Sequence, residues 1–237
     1  MSTSIRVHLD SFVDCSYDVV IGVTLEQAVR DFVRRKYGSQ FFVITDSNVE
    51  KLFGKSLIRM LHNSGRSVNL LSVKAGEKSK NRRTQQYLED RLISLGARRD
   101  SVIIALGGGM VGDLAGFVAA TLHRGIPYVH IPTTLLAQVD SSVGGKVAIN
   151  HPSGKNLIGA FHQPKKVYID VTTLRSLPDR EFSNGMAEVI KYATALYASL
   201  FSFLEKNLSR IHNRNIACLS HIIRRCCTIK RDIVEQD

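Results

Sequence analysis

The spacing of hydrophobic and polar positions along the chain predicts alternating strands and helices. Short apolar runs with strand character recur through the first three quarters of the chain, and amphipathic segments separate them. The predicted strands are residues 5–9, 17–21, 41–45, 68–73, 101–106, 127–131 and 167–170. The predicted helices are residues 24–38, 48–62, 79–95 and 111–122. Strands that alternate with helices at this spacing predict an α/β fold with a Rossmann-like, mainly parallel sheet.

Local signals mark where several of these helices begin and end. Thr24 and Gln27 have the spacing of a capping box, in which each side chain accepts a hydrogen bond from the other residue's backbone N–H. Gly38 and Gly96 follow two of the predicted helices. Glycine readily takes the backbone conformation that stops a helix, so we expect both helices to end there.

A change of pattern after Pro178 predicts a second, helical domain. Residues 179–237 contain helical periodicity and no strand-like run. We therefore assign residues 1–178 to an α/β domain and residues 179–237 to the beginning of a helical domain. An apolar stripe runs through the last predicted helix and consists of Ile216, Leu219, Ile222, Ile223, Cys226, Ile229 and Ile233. Because the chain ends at Asp237, we expect this stripe to face helices that the chain lacks, and to promote self-association.

The composition is that of a globular protein with a basic charge balance. The chain of 237 residues is 44% hydrophobic and carries a formal net charge of +11. Such a charge is compatible with nucleic-acid binding, but the basic residues are scattered, and their densest groups are short pairs without interleaved aromatic residues. We therefore expect a solvated basic surface and a site for an anionic small molecule, and no nucleic-acid partner.

The cysteines and the apolar segments indicate a cytoplasmic protein. The four cysteines are Cys15, Cys218, Cys226 and Cys227. They lack the spacing of a metal site, and adjacent cysteines are poor disulfide partners, so free thiols in a reducing compartment are expected. Residues 1–20 lack the apolar core of a signal peptide. Glycines and Asp113 interrupt the apolar residues 101–120, which argues against a membrane span.

A glycine-rich turn between a predicted strand and a predicted helix is the strongest chemical signal. Gly107, Gly109 and Gly112 have the spacing of the dinucleotide fingerprint, in which glycines let backbone N–H groups approach phosphate oxygens at a helix N-terminus. The next predicted strand runs into Pro132, where a Rossmann unit has an acid, so the fingerprint match is incomplete. Asp46, after an earlier strand, could receive a ribose instead. The alternative is that the glycines serve only tight packing.

Charged residues near other strand ends and glycines extend this anion site. Glu77 and Lys80 lie where a strand passes into a helix, so they could bind a ribose hydroxyl and a phosphate, or lie in a solvated turn. Lys146 and Lys155 each follow a glycine and are expected at the tips of exposed turns, with Asn156 beside the second. Lysine is a good point-charge ligand for phosphate.

Four further charged positions have less local support. Arg124 is one more candidate for a phosphate contact. Asp113 lies in the first turn of its predicted helix, where the helix dipole alone would stabilise a carboxylate by ~0.3–1 kcal/mol. Glu188 could be a metal ligand, or it could form an ion pair with Lys191 one helical turn later. The local sequence favours the ion pair.

The run from the glycine turn to Lys191 resembles the 3-dehydroquinate synthase family of sugar-phosphate cyclases. The segments that carry the resemblance are residues 106–117, 131–146, 154–159, 177–181 and 187–192. Upstream, residues 45–48 and 76–80 agree as well. Together these segments are specific to the sugar-phosphate cyclases, and the resemblance extends over essentially the whole chain, which corresponds to the N-terminal portion of a family member.

This resemblance implies a lyase that acts in the shikimate pathway of aromatic amino acid biosynthesis. Members convert 3-deoxy-D-arabino-heptulosonate 7-phosphate to 3-dehydroquinate and phosphate. NAD transiently oxidises the C5 hydroxyl, phosphate is eliminated, the hydride returns, and an aldol step closes the ring. The protein orients the reactants and neutralises charge while the cofactor carries the hard step. The resemblance also implies a divalent metal (zinc or cobalt) and a homodimer.

The resemblance assigns roles to individual residues. Positions that match the cofactor site are Asp46, Glu77, Lys80, Gly109, Met110, Val111, Gly112, Asp113, Thr133, Thr134, Lys146, Lys155, Thr173, Leu174, Arg175 and Ser176. Positions that match catalytic or substrate-binding residues are Arg124, Asp140, Lys146, Asn156 and Lys191. Arg124 matches an arginine that reaches the substrate phosphate across a dimer interface, and Glu188 matches a metal ligand. The resemblance therefore reverses the local preference for an ion pair at Glu188.

Two departures keep other interpretations open. Val147 and Ala148 stand where the family usually has threonine and glycine, and the histidine-rich segment with the two other metal ligands is absent. The chain could therefore be a non-catalytic NAD-binding fragment, or belong to a cyclase that makes an inosose or valiolone ring. A metal-dependent alcohol dehydrogenase fits less well, because that group has serine where this chain has Met110 and lysine where it has Gly116.

Overall fold

The computed structural model describes residues 15–35 and 37–236, and within them six strands form one parallel sheet. The strands are β1 (Asp18–Ile21), β2 (Gln40–Asp46), β3 (Ser67–Val73), β4 (Val102–Gly107), β5 (Tyr128–Pro132) and β8 (Lys166–Ile169). Their order across the sheet is β1-β8-β5-β4-β2-β3, and each pair of neighbours is parallel. The predicted Rossmann-like α/β fold is confirmed. The predicted strand at residues 5–9 lies outside the described residues.

Helices cover both faces of this sheet. Those of the α/β part are α1 (Leu25–Arg34), α2 (Ser47–Val49), α3 (Lys55–Asn63), α4 (Arg82–Ser94) and α5 (Gly109–Thr121). A π-helical turn, Glu50–Gly54, joins α2 to α3. The predicted capping box of α1 is present, with Thr24 and Gln27 bonding each other's backbone N–H groups. Every strand-like and helical prediction within the described residues up to residue 131 therefore has its counterpart in the structure.

Apolar side chains from alternate strand positions form the core on the two faces of the sheet. On one face, Phe42 and Ile103 pack against α4 and α5. On the other, Phe41 and Ile104 pack against α1 and α3. All six residues of β4 are buried, as expected for a central parallel strand covered on both sides. This burial holds β4, and with it the start of α5, in a fixed position.

The pattern analysis missed an antiparallel hairpin made of β6 (Lys146–His151) and β7 (Gly154–Phe161). The hairpin packs on α5, where Gly116 leaves room for Val147. Apolar and polar residues do not alternate regularly in its sequence, because β7 begins with glycine, lysine and asparagine in a row. The expectation that Lys146 and Lys155 lie at turn tips is wrong, since both belong to strands and the turn is residues 152–153.

The helices after Pro178 are α6 (Asp179–Ala195), α7 (Ala198–Lys206), α8 (Leu208–His212) and α9 (Ile216–Val234). The expectation that the apolar stripe of the last helix faces missing helices is wrong. Leu219 and Cys226 are fully buried in one apolar cluster with Val167 of β8, and only the last stripe residue, Ile233, is as much as 44% exposed. The stripe packs on the sheet side and on α6, so self-association through it is not expected. In the described part of the chain, none of the helices has the length and apolar character to cross a membrane.

Candidate functional site

The carboxyl ends of the parallel strands bring several predicted residues to one edge of the sheet. β4 ends at Gly107, which lies opposite Pro132 at the end of β5. The backbone N–H of Thr133 donates to the Gly107 carbonyl over 2.9 Å. Asp46 ends β2, and its carboxylate accepts hydrogen bonds from the first backbone N–H groups of α2. Ligands of open α/β sheets bind at this edge, because loops from neighbouring strands diverge there.

The glycine turn is shaped by close approach of neighbouring chain segments. A Cβ atom on Gly108 would lie 2.9 Å from the Thr134 methyl carbon, and one on Gly109 would lie 2.9 Å from Ser141 Oγ. Neither glycine has a positive φ, so space rather than backbone strain requires them. The first N–H groups of α5 have no acceptor inside the helix. The turn is thus narrow, lined by N–H donors and suited to an anion.

A buried ion pair lies beside this turn and joins three of the predicted residues. Lys80 is only 4% exposed, and its Nζ donates to Asp113 and, over 2.5 Å, to Asn156 Oδ1. Burial raises the pKa of Asp113, and Lys80 acts in the opposite direction. Asn150, which the sequence did not single out, donates to Glu77 over 2.7 Å and accepts from the backbone of Asn156 over 3.0 Å. The solvated-turn interpretation of Lys80 is therefore wrong.

Asp140 forms a second charged group with two residues that the sequence analysis missed. The Tyr192 hydroxyl donates to Asp140 Oδ1 over 2.5 Å, and Lys230 Nζ donates to the same oxygen over 2.7 Å. Burial tends to raise the pKa of Asp140, but the hydrogen bonds from Lys230 and Tyr192 outweigh it and lower the pKa. Lys230 lies on α9, 90 positions from Asp140. No local pattern connects two residues at that separation.

A cleft of about 500 Å³ lies between the two charged groups. Its polar lining includes Asp113, Asp140, Ser141, Lys146, Asn156 and Lys230. Lys146 also lies over the ring of Phe161, 5.9 Å from its centroid. A larger groove of about 810 Å³ lies between β1 and α9, but none of the predicted cofactor or substrate residues is among the described residues that line it. The predicted residues Asp113, Asp140, Lys146 and Asn156 line the smaller cleft instead.

Several other predicted residues are outside the described lining of this cleft. Arg124 follows α5 and precedes β5, so it lies at the amino ends of the strands, on the opposite edge of the sheet. Glu188 and Lys191 form the ion pair that local spacing predicted. Among residues 15–35 and 37–236, no three His, Cys, Asp or Glu side chains come together as a metal site. Thr173, Leu174, Arg175 and Ser176 lie in a 3₁₀ turn, Val171–Ser176, directly after β8.

The fold and this edge define the class of the protein: a Rossmann-like α/β protein with a glycine turn and a charged cleft at the strand ends. Sequence profiles of the 3-dehydroquinate synthase N-terminal and C-terminal regions match residues 70–184 and 185–237, respectively. The chain belongs to the 3-dehydroquinate synthase family.

Individual relatives agree with this membership. The chain is 51% identical over 223 residues to a 3-dehydroquinate synthase of Pelobacter propionicus, and the match covers 94% of this chain and 62% of that protein. A 2-epi-5-epi-valiolone synthase from Streptomyces hygroscopicus subsp. jinggangensis, solved with NAD⁺ and Zn²⁺, is 30% identical with a TM-score of 0.84. The match to it covers 94% of this chain and 62% of that chain.

A second solved structure belongs to another cyclase of the same group. This 2-deoxy-scyllo-inosose synthase, in complex with carbaglucose-6-phosphate, NAD⁺ and Co²⁺, is 29% identical with a TM-score of 0.81. The match covers 92% of this chain and 59% of that chain. The chain thus spans about three fifths of the length of the relatives that it matches.

Proposed function

We propose that this chain is the cofactor- and phosphate-binding part of a 3-dehydroquinate synthase. The proposed reaction converts 3-deoxy-D-arabino-heptulosonate 7-phosphate to 3-dehydroquinate and phosphate, which makes the enzyme a phosphorus–oxygen lyase. The observation that carries the proposal is the cleft itself, where the Lys80–Asp113–Asn156 group and Asp140 face one another beside the glycine turn. Identity to the curated relatives exceeds identity to the inosose and valiolone synthases, which favours the dehydroquinate reaction.

The residues at the strand ends fit NAD. Gly109 leaves a space that a side chain would fill, and the helix it begins presents N–H donors to a pyrophosphate. The hydroxyl groups of Thr45 and Thr133, at the ends of β2 and β5, are buried without a hydrogen-bond partner in the described part of the chain. Asp46 and Glu77 lie nearby as acceptors for ribose hydroxyls. When bound, NAD would take a hydride from the substrate and return it later, with no net redox change.

The polar lining of the cleft suits a sugar phosphate. Lys146 and Asn156 line the cleft and would bind the phosphate. Lys155 and Lys80, which match cofactor positions of the family, would add positive charge toward the cofactor. Asp140 would accept hydrogen bonds from substrate hydroxyls. Its carboxylate is held ionised by Lys230 and Tyr192, because both donate to Oδ1 and lower its pKa. Asp140 is therefore a hydrogen-bond acceptor rather than an acid at neutral pH.

This chain supplies only part of the ligand set that the metal of the related cyclases would need. Two related synthase structures contain Co²⁺ or Zn²⁺ with NAD⁺. We propose Glu188 as one ligand, yet its carboxylate forms an ion pair with Lys191, and no further His, Cys, Asp or Glu side chains join it as a cluster in the described residues. A catalytic zinc needs three protein ligands with an open position. The described residues therefore do not form a complete metal site.

The remaining assignments follow from family membership. We propose that residues 1–178 form the NAD-binding domain and that residues 179–237 begin a helical domain for metal and substrate. We also propose a cytoplasmic homodimer without nucleic-acid or membrane partners. Arg124, which lies far from the cleft of its own chain, would contact the phosphate bound by the partner.

Titration of the chain with NAD tests the cofactor part of the proposal. Gly109→Leu should abolish measurable binding, because the leucine side chain would occupy the space beside the glycine turn. The fold of the variant is checked by circular dichroism and urea unfolding. Equal NAD affinity of Gly109→Leu and the unaltered chain would contradict the assignment.

The chemical part is tested in a chain extended to the full length of its relatives. Phosphate release from 3-deoxy-D-arabino-heptulosonate 7-phosphate is measured beside release from a hexose 6-phosphate, the kind of ligand seen in the inosose synthase. Lys146→Met should remove most of the activity, because the phosphate loses a counter-charge. Faster release from the hexose phosphate would favour the other cyclases, and no release from either would favour a non-catalytic NAD-binding protein.

A further inference from the structure

We infer that Gln138 is a positioning residue that holds the two turns on either side of the proposed cofactor site in fixed relation. It lies in the π-helical turn Ala137–Ser141 and is fully buried, with 0% exposure. A fully buried amide is costly unless it is hydrogen-bonded, so its partners indicate what it does. This inference rests on the proposed function, because the turns matter only if they bind the cofactor.

The side-chain amide of Gln138 joins the ends of two neighbouring strands. Its Nε2 carries two hydrogens, which are shared among three acceptors: the Pro132 carbonyl at 3.0 Å, the Asp170 carbonyl at 3.2 Å and Thr173 Oγ1 at 3.1 Å. Its Oε1 is buried and has no hydrogen-bond partner among the described residues. Pro132 ends β5, whereas Asp170 directly follows β8. The three acceptors also fix the orientation of the amide, because a reversed amide would place its oxygen against them.

The strand pairing explains why such a link is needed. β5 and β8 are paired at two positions, Val129 with Lys166 and His130 with Val167, both in the amino-terminal parts of the strands. Further along, Pro132 has no N–H to donate to a sheet ladder. Gln138 supplies the missing donor at the carboxyl edge, where Thr133 and the turn after β8 emerge.

The backbone of Gln138 adds two further contacts. Its N–H donates to the Thr134 carbonyl over 3.0 Å, and its carbonyl accepts from the Cys227 thiol over 3.1 Å. Thr134 belongs to the turn after β5, and Cys227 to α9. Gln138 therefore contacts both turns directly and is itself held by the helical part of the chain.

The chain offers a matched control in a second buried glutamine. Gln85 is 2% exposed and bonds Arg82 and Glu89 on its own helix and Thr121 at the end of α5 opposite the glycine turn. Methionine is close to glutamine in size and removes the amide in either case. Gln138→Met and Gln85→Met should both lower the free energy of unfolding in urea.

The two variants are expected to differ in NAD affinity. Both variants are measured at a temperature where they are folded. Gln138→Met should raise the NAD dissociation constant about tenfold, because a tenfold change corresponds to the net free energy of about one hydrogen bond. Gln85→Met should leave it within about twofold. Equal affinity of Gln138→Met and the unaltered chain would overturn the inference, and so would equal weakening in both variants.

A second pair of variants covers the case in which Gln138→Met does not fold. Thr173→Val removes one acceptor of the Gln138 amide with little change of shape, whereas Thr173→Ser keeps the hydroxyl. Because Thr173 itself matches a cofactor position, the comparison is made on the NAD-free chain, by hydrogen exchange of the Thr133 N–H that bonds Gly107. Faster exchange in Thr173→Val than in Thr173→Ser supports the inference, and equal exchange overturns it. Failure of the unaltered chain to bind NAD would instead overturn the proposed function, and the inference with it.

Discussion

A Cβ atom on Gly112 would lie 2.6 Å from Nε2 of the buried His130 ring. His130 lies on β5 and faces the first turn of α5, where glycine allows the helix and the strand to approach. Burial lowers the pKa of His130 to about 4, so the ring is neutral at physiological pH. The third glycine of the fingerprint is therefore required for helix–strand packing.

Replacement of this glycine should be costly only while the histidine is present. Gly112→Ala is expected to lower the free energy of unfolding by about 1–3 kcal/mol, the usual cost of overpacking a core. In a His130→Ala background the same change should cost less than about 0.5 kcal/mol, because the clash is gone. Urea unfolding of the four variants measures both values. An equal cost in the two backgrounds would mean that the ring is not the obstacle.

Lys80 should control how stability depends on pH through Asp113. Burial raises the folded-state pKa of Asp113, so the folded protein binds a proton more readily than the unfolded chain does. The pKa of Asp113 in the unfolded chain is about 4. The free energy of unfolding therefore falls as pH rises above about 4, and it levels off once the pH exceeds the pKa of Asp113 in the folded protein. Lys80→Met removes the opposing charge and should widen and deepen this fall.

The check is unfolding in urea between pH 5 and pH 8. Lys80→Met should lose stability over this range, and Lys80→Met/Asp113→Asn should not, because the asparagine carries no proton to lose. Burial of neutral His130 makes stability rise with pH up to about 6.5 in every variant, so the relevant sign is a fall. A fall in stability with rising pH in the double variant would assign the effect to a group other than Asp113.

Asp31 should stabilise the fold only at pH values above its own titration. Burial acts to raise the pKa of Asp31, but hydrogen bonds from Tyr168, Lys166 and Arg35 outweigh burial and lower the pKa to about 2. The contribution is present in full above the unfolded value of about 3.9 and is lost as pH falls through 2. Asp31→Asn should therefore be less stable than the parent at pH 7, and the difference should shrink between pH 4 and pH 2. A constant difference would show that the charge is not responsible.

The cysteines should differ sharply in reactivity. Cys15 is exposed, whereas burial raises the pKa of Cys226 and Cys227 to about 12. Because the thiolate is the reactive form, a disulfide reagent at pH 7.5 should label Cys15 quickly and the buried thiols roughly 100-fold more slowly. In urea all should react. Cys15→Ser should abolish the fast phase, and persistence of that phase would place an accessible thiol elsewhere.

The chain by itself should not retain zinc. Glu188 forms an ion pair with Lys191, and the described residues offer no cluster that could complete a tetrahedral site. After dialysis, zinc well below one equivalent and no phosphate release are expected. Stoichiometric zinc with steady phosphate release would show that other residues, such as His212 or His221, complete a site.

The spacing of apolar residues in successive segments of the chain was sufficient to predict most of the fold. A buried parallel strand and an amphipathic helix each leave a repeating pattern within a few residues, so β2, β4, β5 and α5 could be read directly. The glycine turn was also visible, because a strand, glycines and a helix follow one another without interruption. Such features depend on neighbours in the chain, and sequence alone determined them.

Tertiary structure alone decided which distant residues meet. Lys230 reaches Asp140 from a helix 90 positions away, and Gln138 ties together two strands whose ladder has ended. The hairpin β6–β7 is stable because it packs on α5, although its own pattern is irregular. Arg124 is near the glycine turn in sequence but lies on the opposite edge of the sheet, because α5 runs back across it. Contacts of this kind depend on how helices and strands pack in three dimensions. The spacing of apolar and polar residues along the sequence does not predict them.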